Sequence, residues 1–463
     1  MEDGMKRLHS LLIVAVLTVS FSPGDPAPNS GPATKRSTLT NGLTVILLEK
    51  HQLPMVEGLL VVKSGALADP KAKEGLANLV CNLLTKGTSN RTREDIESAV
   101  DATGGDLQTR VDWDSSQISF HVLKKEMPKL LKLVADLVQH PSFPGAEIKR
   151  EKELTLERIH QIGNDNWRTA DRWFFRILYE GSRLSLLPEG EDETVSKIEL
   201  PEVEQFYKAN YFPGNCVLML GGDVAGADLG LVKNTFAEWK GIRTIPPAIP
   251  ENPPDLAGNS IWMVDKPDMS QAQIRIGHKG LSRKSPDYFS AEVLNTLFGG
   301  GFSSRLMEEL RRKRGLSYGV QSQFEYGKTG GTFYIWTFAS NPKVGEVIEL
   351  ILEELTKMQR GEITDQEIGA AEQYLQGVEA MRMESPAEIE NRIVDFELNG
   401  LSLSSFFSYG EDIKRVAAKD VGQASAKYLS AEGNVIMILG RRSEIESQLH
   451  SLKGKLNFAS SKD

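Results

Sequence analysis

In EGLANLVCNLLTKG (residues 74–87), the side chains of Asn78, Cys81 and Asn82 are the ones whose types could do chemistry. Leu76, Leu79, Val80 and Leu83 recur at helical spacing, so the opposite face of the same helix packs into a core. Side chains at i and i+4 can reach one metal ion, but Asn78 and Asn82 would offer only weak, neutral amide ligands. Cys81 could serve as a nucleophile given a basic partner and an oxyanion hole. Nothing close in sequence supplies that base, so the expectation is an inert thiol on a half-buried helix. The seven histidines (His9, His51, His121, His140, His160, His278 and His450) include no pair at metal-ligand spacing. A second segment, FGGGFSSRLMEELRRKRGLSYGVQSQF (residues 298–324), is Gly-rich but lacks the G-K-[ST] ending of a phosphate-binding loop. Taken alone, its charge run at 308–314 reads as the solvated face of an amphipathic helix.

Turns and apolar runs place these segments. Asn41 and Gly42 form a turn that feeds a strand, and MVEGLLVVKSG (residues 55–65) reads as the next strand. A helix over 93–102 breaks at Gly104 and Gly105, and residues 106–123 alternate like two paired strands. Helices follow over 125–139, 146–161 and 167–179, Pro201 suits a helix start, and NCVLMLG (residues 215–221) is a buried strand. The Pro-rich stretch 241–260 tolerates neither helix nor central strand and serves as a linker. The second half then repeats the first. Residues 261–280 parallel the opening strands, 287–300 fall where the first helix falls, and 427–440 mirror 208–221. The expected fold is α+β: two homologous domains, each an antiparallel-rich sheet covered by helices. The divisions are 1–36 (a signal-like segment and polar tail), 37–240, the linker 241–260, and 261–456.

This duplicated order resembles the pitrilysin/insulinase (inverzincin) zinc metallopeptidases, which include the mitochondrial processing peptidase subunits and bacterial relatives. GLANLVCNLLTKGT is similar to that family's G-x-A-H-x-x-E-H-x-x-x-x-G-T, and EIKREKELTLERI (residues 147–159) to its E-I-E-R-E-x-E-V-x-L-E-E-I. In such enzymes two histidines and a later glutamate hold zinc, and the glutamate of the motif is the general base. The resemblance puts Asn78 and Asn82 at the histidine positions, Cys81 at the base and Arg158 at the third ligand. It therefore implies a degenerate site without metal in this chain. The family's R-x-x-x-x-x-x-Y is matched by Arg311 and Tyr318. That match implies a phenol able to donate to a developing oxyanion and a guanidinium able to fix peptide oxygens by forked hydrogen bonds. Gly299, Gly300 and Gly301, which let the backbone approach closely, are the accompanying substrate-binding positions.

The resemblance thus implies a non-catalytic, substrate-positioning subunit of a heteromeric zinc endopeptidase acting on extended peptides. Zinc and base would come from a homologous partner, and Arg311 and Tyr318 would act in trans. The alternative is a structural or peptide-binding scaffold of the same fold. A net charge of −9 over 463 residues argues against nucleic acid or an anionic membrane as the main partner. Lys6 and Arg7, the apolar run 11–19 and a Pro/Gly/Ser tail fit a signal peptide, hence export to a periplasmic or extracellular space. The run is shorter than the ~20 residues of a spanning helix, so no stable membrane span is expected. Cys81 and Cys216 cannot build a disulfide framework and are expected as buried, unpaired thiols.

Overall fold

The longest apolar runs, such as Thr44–Glu49 and Cys216–Gly222, alternate their side chains between two covered faces. The computed structural model describes residues 33–241 and 254–461; the signal-like segment through 32 and most of the Pro-rich stretch (242–253) lie outside the described residues. In the first half, the strands are β1 (Ala33–Thr38), β2 (Thr44–Glu49), β3 (Met55–Val62), β4 (Asp106–Val111), β5 (Ser116–Leu123) and β6 (Cys216–Gly222). Its helices are α1 (Leu76–Leu83), α2 (Arg93–Asp101), α3 (Met127–Gln139), α4 (Gly145–Asn164), α5 (Asn166–Leu178), α6 (Asp192–Val195), α7 (Leu200–Asn210) and α8 (Asp228–Thr235). The second half has β7 (Ser260–Asp265), β8 (Gln271–Gly280), β9 (Val320–Tyr326), β10 (Gly331–Ser340), β11 (Val435–Gly440) and β12 (Lys455–Ser460). Among its helices are α9 (Tyr288–Asn295), α10 (Val344–Gln359), α11 (Asp365–Arg382) and α12 (Pro386–Asn399).

The two six-stranded sheets run β1-β2-β6-β3-β5-β4 and β12-β7-β11-β8-β10-β9. Each is mixed but mainly antiparallel; β2–β6, β7–β11 and β7–β12 are the parallel pairs. The expected α+β duplication is present, since β2, β6, β3, β5 and β4 correspond in order to β7, β11, β8, β10 and β9. The outermost strand breaks the repeat. In the first sheet it is β1, antiparallel to its neighbour and drawn from the start of the half; in the second it is β12, parallel and drawn from the end. Neither strand was expected from the sequence, and β1 takes in residues counted above with the polar tail.

One face of the first sheet, formed by Val45, Leu47, Leu60, Leu218 and Leu220, packs on α1, α3, α7 and α8 of its own half. The opposite face, with Ile46, Leu48, Leu59, Val61, Val217 and Met219, is covered by Ile389, Ile393 and Val394 of α12 from the second half. The second sheet is treated reciprocally. Ile436 and Ile438 face its own helices, while Val435, Met437 and Leu439 meet Ala170, Trp173 and Phe174 of α5 from the first half. A strand covered on both faces is apolar at every position, which is why CVLML and VIMIL lack the usual alternation.

Charged side chains lock this exchange. Arg275 of β8 is 0% exposed. Its Nε donates to Asp171 Oδ1 of α5 at 2.6 Å, and its guanidinium lies 4.4 Å from the Trp167 ring centroid. On the other side, Arg36 of β1 pairs with Glu397 of α12 at 2.8 Å, and within the second half Arg283 Nε donates to Asp395 Oδ2 of the same helix at 2.9 Å. Removing the partner of a buried cation is costly, although here the partly exposed position of Asp171 lets water recover part of the loss. Asp171→Ala should therefore lower unfolding stability by about 2–4 kcal/mol in urea titrations, with both halves still unfolding together. A change below about 0.5 kcal/mol, the scale of a surface substitution, would contradict a locking role for this pair.

Candidate functional site

Helix α1 is shorter than the quoted segment and more deeply placed than its polar residues suggested. Seven of its eight residues are buried, including Asn78 and Cys81. The reason is tertiary: α1 lies against β4 and β5, α4 and α7, so its polar side faces other elements and not solvent. Its N-terminus is fixed by Asp69, whose carboxylate accepts from Gly75 N at 2.8 Å and Ala77 N at 2.7 Å. Those are two of the amides that a helix start leaves unpaired. Burial outweighs these two donors and pushes the Asp69 carboxyl up to about 7. Gly75 sits at φ +94°, and a Cβ there would stand 2.5 Å from Glu189 O, so the turn into α1 requires glycine.

The structure brings Asn78, Asn82 and Arg158 together around a residue that the sequence reading passed over. Glu151 of α4 is 2% exposed. Its Oε1 accepts from Asn82 Nδ2 at 3.1 Å and from Arg158 Nη2 at 3.2 Å. Asn82 Oδ1 accepts from Thr109 Oγ1 of β4 at 2.8 Å, and Asn82 Nδ2 lies 3.5 Å from Asn78 Oδ1. Glu151 and Arg158 are seven residues apart, two helical turns, and so project from the same face. That spacing was the available signal for Glu151.

This donor set does not fit zinc. The polar atom it leaves over is Asn78 Nδ2, buried with no acceptor among the described residues, and an N–H donor turns its positive end toward a cation. The guanidinium of Arg158 already supplies the positive charge beside Glu151. Cys81 points elsewhere: its Sγ is 3.6 Å from Gln117 O and 3.9 Å from Arg110 O, on the β5 and β4 backbones. Burial pushes its thiol up to about 12, far from the thiolate that metal binding or nucleophilic attack needs. No group of three or more His, Cys, Asp or Glu side chains suited to a metal occurs among the described residues.

Arg311 and Tyr318 form a second, separate set. Arg311 lies in a π-helical turn, Met307–Lys313, and its guanidinium stacks 4.3 Å from the Tyr318 ring centroid. Tyr318 is 75% exposed. Among the described residues no carboxylate or carbonyl accepts from Arg311, whereas Arg305, Arg312, Lys313 and Arg314 each have one. A fork of donors held against a ring without an acceptor is available to a ligand. Of the three glycines, Gly299 is tied to packing: a Cβ there would stand 2.5 Å from Ser322 Oγ and 2.7 Å from Ser322 N of β9. No hydrogen bond, ion pair or ring contact among the described residues joins the α1/α4 set to the Arg311/Tyr318 set.

Two family models match the chain, together over more than half of it. One, described as insulinase (peptidase family M16), matches residues 44–179; the other, described as the peptidase M16 inactive domain, matches residues 197–375. This chain belongs to the M16 (insulinase) peptidase family. The first M16 match contains Asn78, Asn82, Glu151 and Arg158, and the second contains Arg311 and Tyr318. Similar relatives include an uncharacterized zinc protease of Streptomyces coelicolor, 26% identical over 90% of this chain and 92% of that protein. Another, from Mycobacterium tuberculosis, is 26% identical over 94% of this chain and 99% of its own. Among solved structures, an M16 inactive-domain protein from Pseudomonas fluorescens shares the fold with a TM-score of 0.82 at 24% identity, covering 88% of this chain and 98% of that one. A Helicobacter pylori protease does so at 0.78 and 22%, covering 88% and 99%.

The burial of both cysteines in this M16 chain is directly measurable, because burial pushes the Cys216 thiol up as well. At pH 8 a thiol-reactive chromogen should leave both native thiols untouched and react with two equivalents after unfolding in guanidinium. A burst of one equivalent at pH 8 would show an activated cysteine instead.

Proposed function

We propose that this M16 chain is a substrate-positioning, non-catalytic subunit of a heteromeric zinc endopeptidase, working beside a homologous subunit that carries the zinc and the general base. One contrast carries the reading. The positions expected for zinc ligands are closed by internal hydrogen bonds around Glu151 and Arg158. Arg311 and Tyr318, in contrast, remain open to a ligand. Zinc proteases among its relatives make peptides the fitting substrate class. The basic, apolar and polar pattern of the first 36 residues supports placing the complex outside the cytoplasm.

In such a complex the partner's zinc would polarise the scissile carbonyl and activate water. This chain's part is hydrogen bonding and orientation. Tyr318 would donate its phenolic O–H to the carbonyl oxygen as that oxygen gains charge, an interaction that strengthens toward the transition state. Arg311 would hold a neighbouring backbone carbonyl or carboxylate through its fork, reducing the freedom of an extended peptide before reaction.

The test compares peptide cleavage by this chain, by a homologous chain bearing H-x-x-E-H, and by their mixture. Only the mixture should reach full activity. Tyr318→Phe in this chain should lower its kcat about ten- to a thousand-fold, the scale for one transition-state donor, with the partner's zinc content unchanged. Full activity from the partner alone would overturn the proposal.

A further inference from the structure

Phe302 follows the three glycines and is 63% exposed. It is no isolated surface residue. The Arg311 guanidinium lies 5.4 Å from its ring centroid and that of Arg312 lies 5.3 Å away. Arg311 therefore lies close to two exposed rings, those of Phe302 and Tyr318. Close packing fixes where the Phe302 loop begins: Gly299 lies on Ser322 of β9, and a Cβ on Gly300 would stand 2.7 Å from Asn295 Nδ2. Arg312 is also held to Glu308 at 3.3 Å. The molecule thus keeps two aromatic rings in water around the cation that lacks an acceptor, an arrangement that forgoes the stabilisation of burying them.

An extended peptide complements this surface. Its carbonyls are acceptors for the Arg311 fork, and its side chains follow at about 3.3 Å per residue. The guanidinium-to-ring distance of 5.4 Å therefore spans one or two residues of such a strand. We propose that Phe302 is a specificity-determining residue: its exposed ring takes an apolar side chain of an extended peptide whose adjacent carbonyl or carboxylate oxygen is held by Arg311. This rests on the reading of Arg311 and Tyr318 as a peptide site and adds to it a preference for the side chain beside the anchored oxygen.

The experiment uses the full chain without a partner and measures binding of fluorescein-labelled decapeptides by anisotropy. The peptides are identical except at one central position, which is Leu, Phe, Ser or Asp. The Leu and Phe peptides should bind about tenfold more tightly than the Ser peptide, the scale of partly burying one apolar side chain. Phe302→Ala should reduce that ratio to about twofold or less, and Phe302→Leu should largely retain it. Arg311→Gln should weaken all the peptides by similar factors and leave the ratio intact. Thermal melts should show Phe302→Ala folded as the parent, since the ring is mostly in water. An unchanged ratio in Phe302→Ala, with Arg311→Gln still weakening every peptide, would overturn the role of Phe302 while sparing the peptide site. Equal binding by the parent and Arg311→Gln, or no binding by the parent, would overturn both.

Discussion

Each sheet has two apolar faces and its own half can cover only one of them. The structure resolves this by exchange: α12 of the second half closes the first sheet, and α5 of the first half closes the second. Either half alone would expose a continuous patch of Ile, Leu, Val and Met, the kind of surface that soluble monomers rarely leave uncovered. Stability and relative placement of the halves are therefore one matter. The described residues accordingly form a single compact unit. The Arg275–Asp171 pair, whose cation is buried, and Arg36–Glu397 on the other side add direction to an otherwise non-directional apolar contact. Whatever the α1/α4 and Arg311/Tyr318 sets do, they do it on a frame held by these two helices.

Within that frame, the α1/α4 set is part of the interior scaffolding. A buried carboxylate such as Glu151 needs compensation. Arg158 provides a charge and Asn82 a hydrogen bond, while Thr109 satisfies the other end of the Asn82 amide. The network ties α1 to α4 and β4. The second half shows the opposite economy. Arg311 is surrounded by side chains of its own run that are all paired, yet it faces rings.

Much of this was legible in the residues. CVLML, VIMIL and MVEGLLVV announced buried strands, and the helices over 93–102 and 167–179 end close to where their periodicity stops. The edge strands β1 and β12 were not legible, because ATKRST is polar, KLNFAS is short with only two large apolar residues, and each pairs along one side only. Nor could the exchange of α5 and α12 be read, since an apolar stripe says that a face is buried but not against what. At the site, register with a family motif singled out Asn78, Asn82 and Arg158. Glu151 escaped because a carboxylate on a charged helix looks solvated until the neighbouring elements are in place. The lack of an acceptor for Arg311 is likewise a property of space and not of sequence.

A substrate-positioning role without zinc in this chain requires that the α1/α4 site holds no zinc. Calorimetric titration of zinc into the purified full chain, followed by elemental analysis after gel filtration, tests it most directly. No stoichiometric uptake is expected, and no response to Asn82→Ala or Arg158→Ala. One tightly bound zinc per chain, lost on Asn82→Ala, would contradict it.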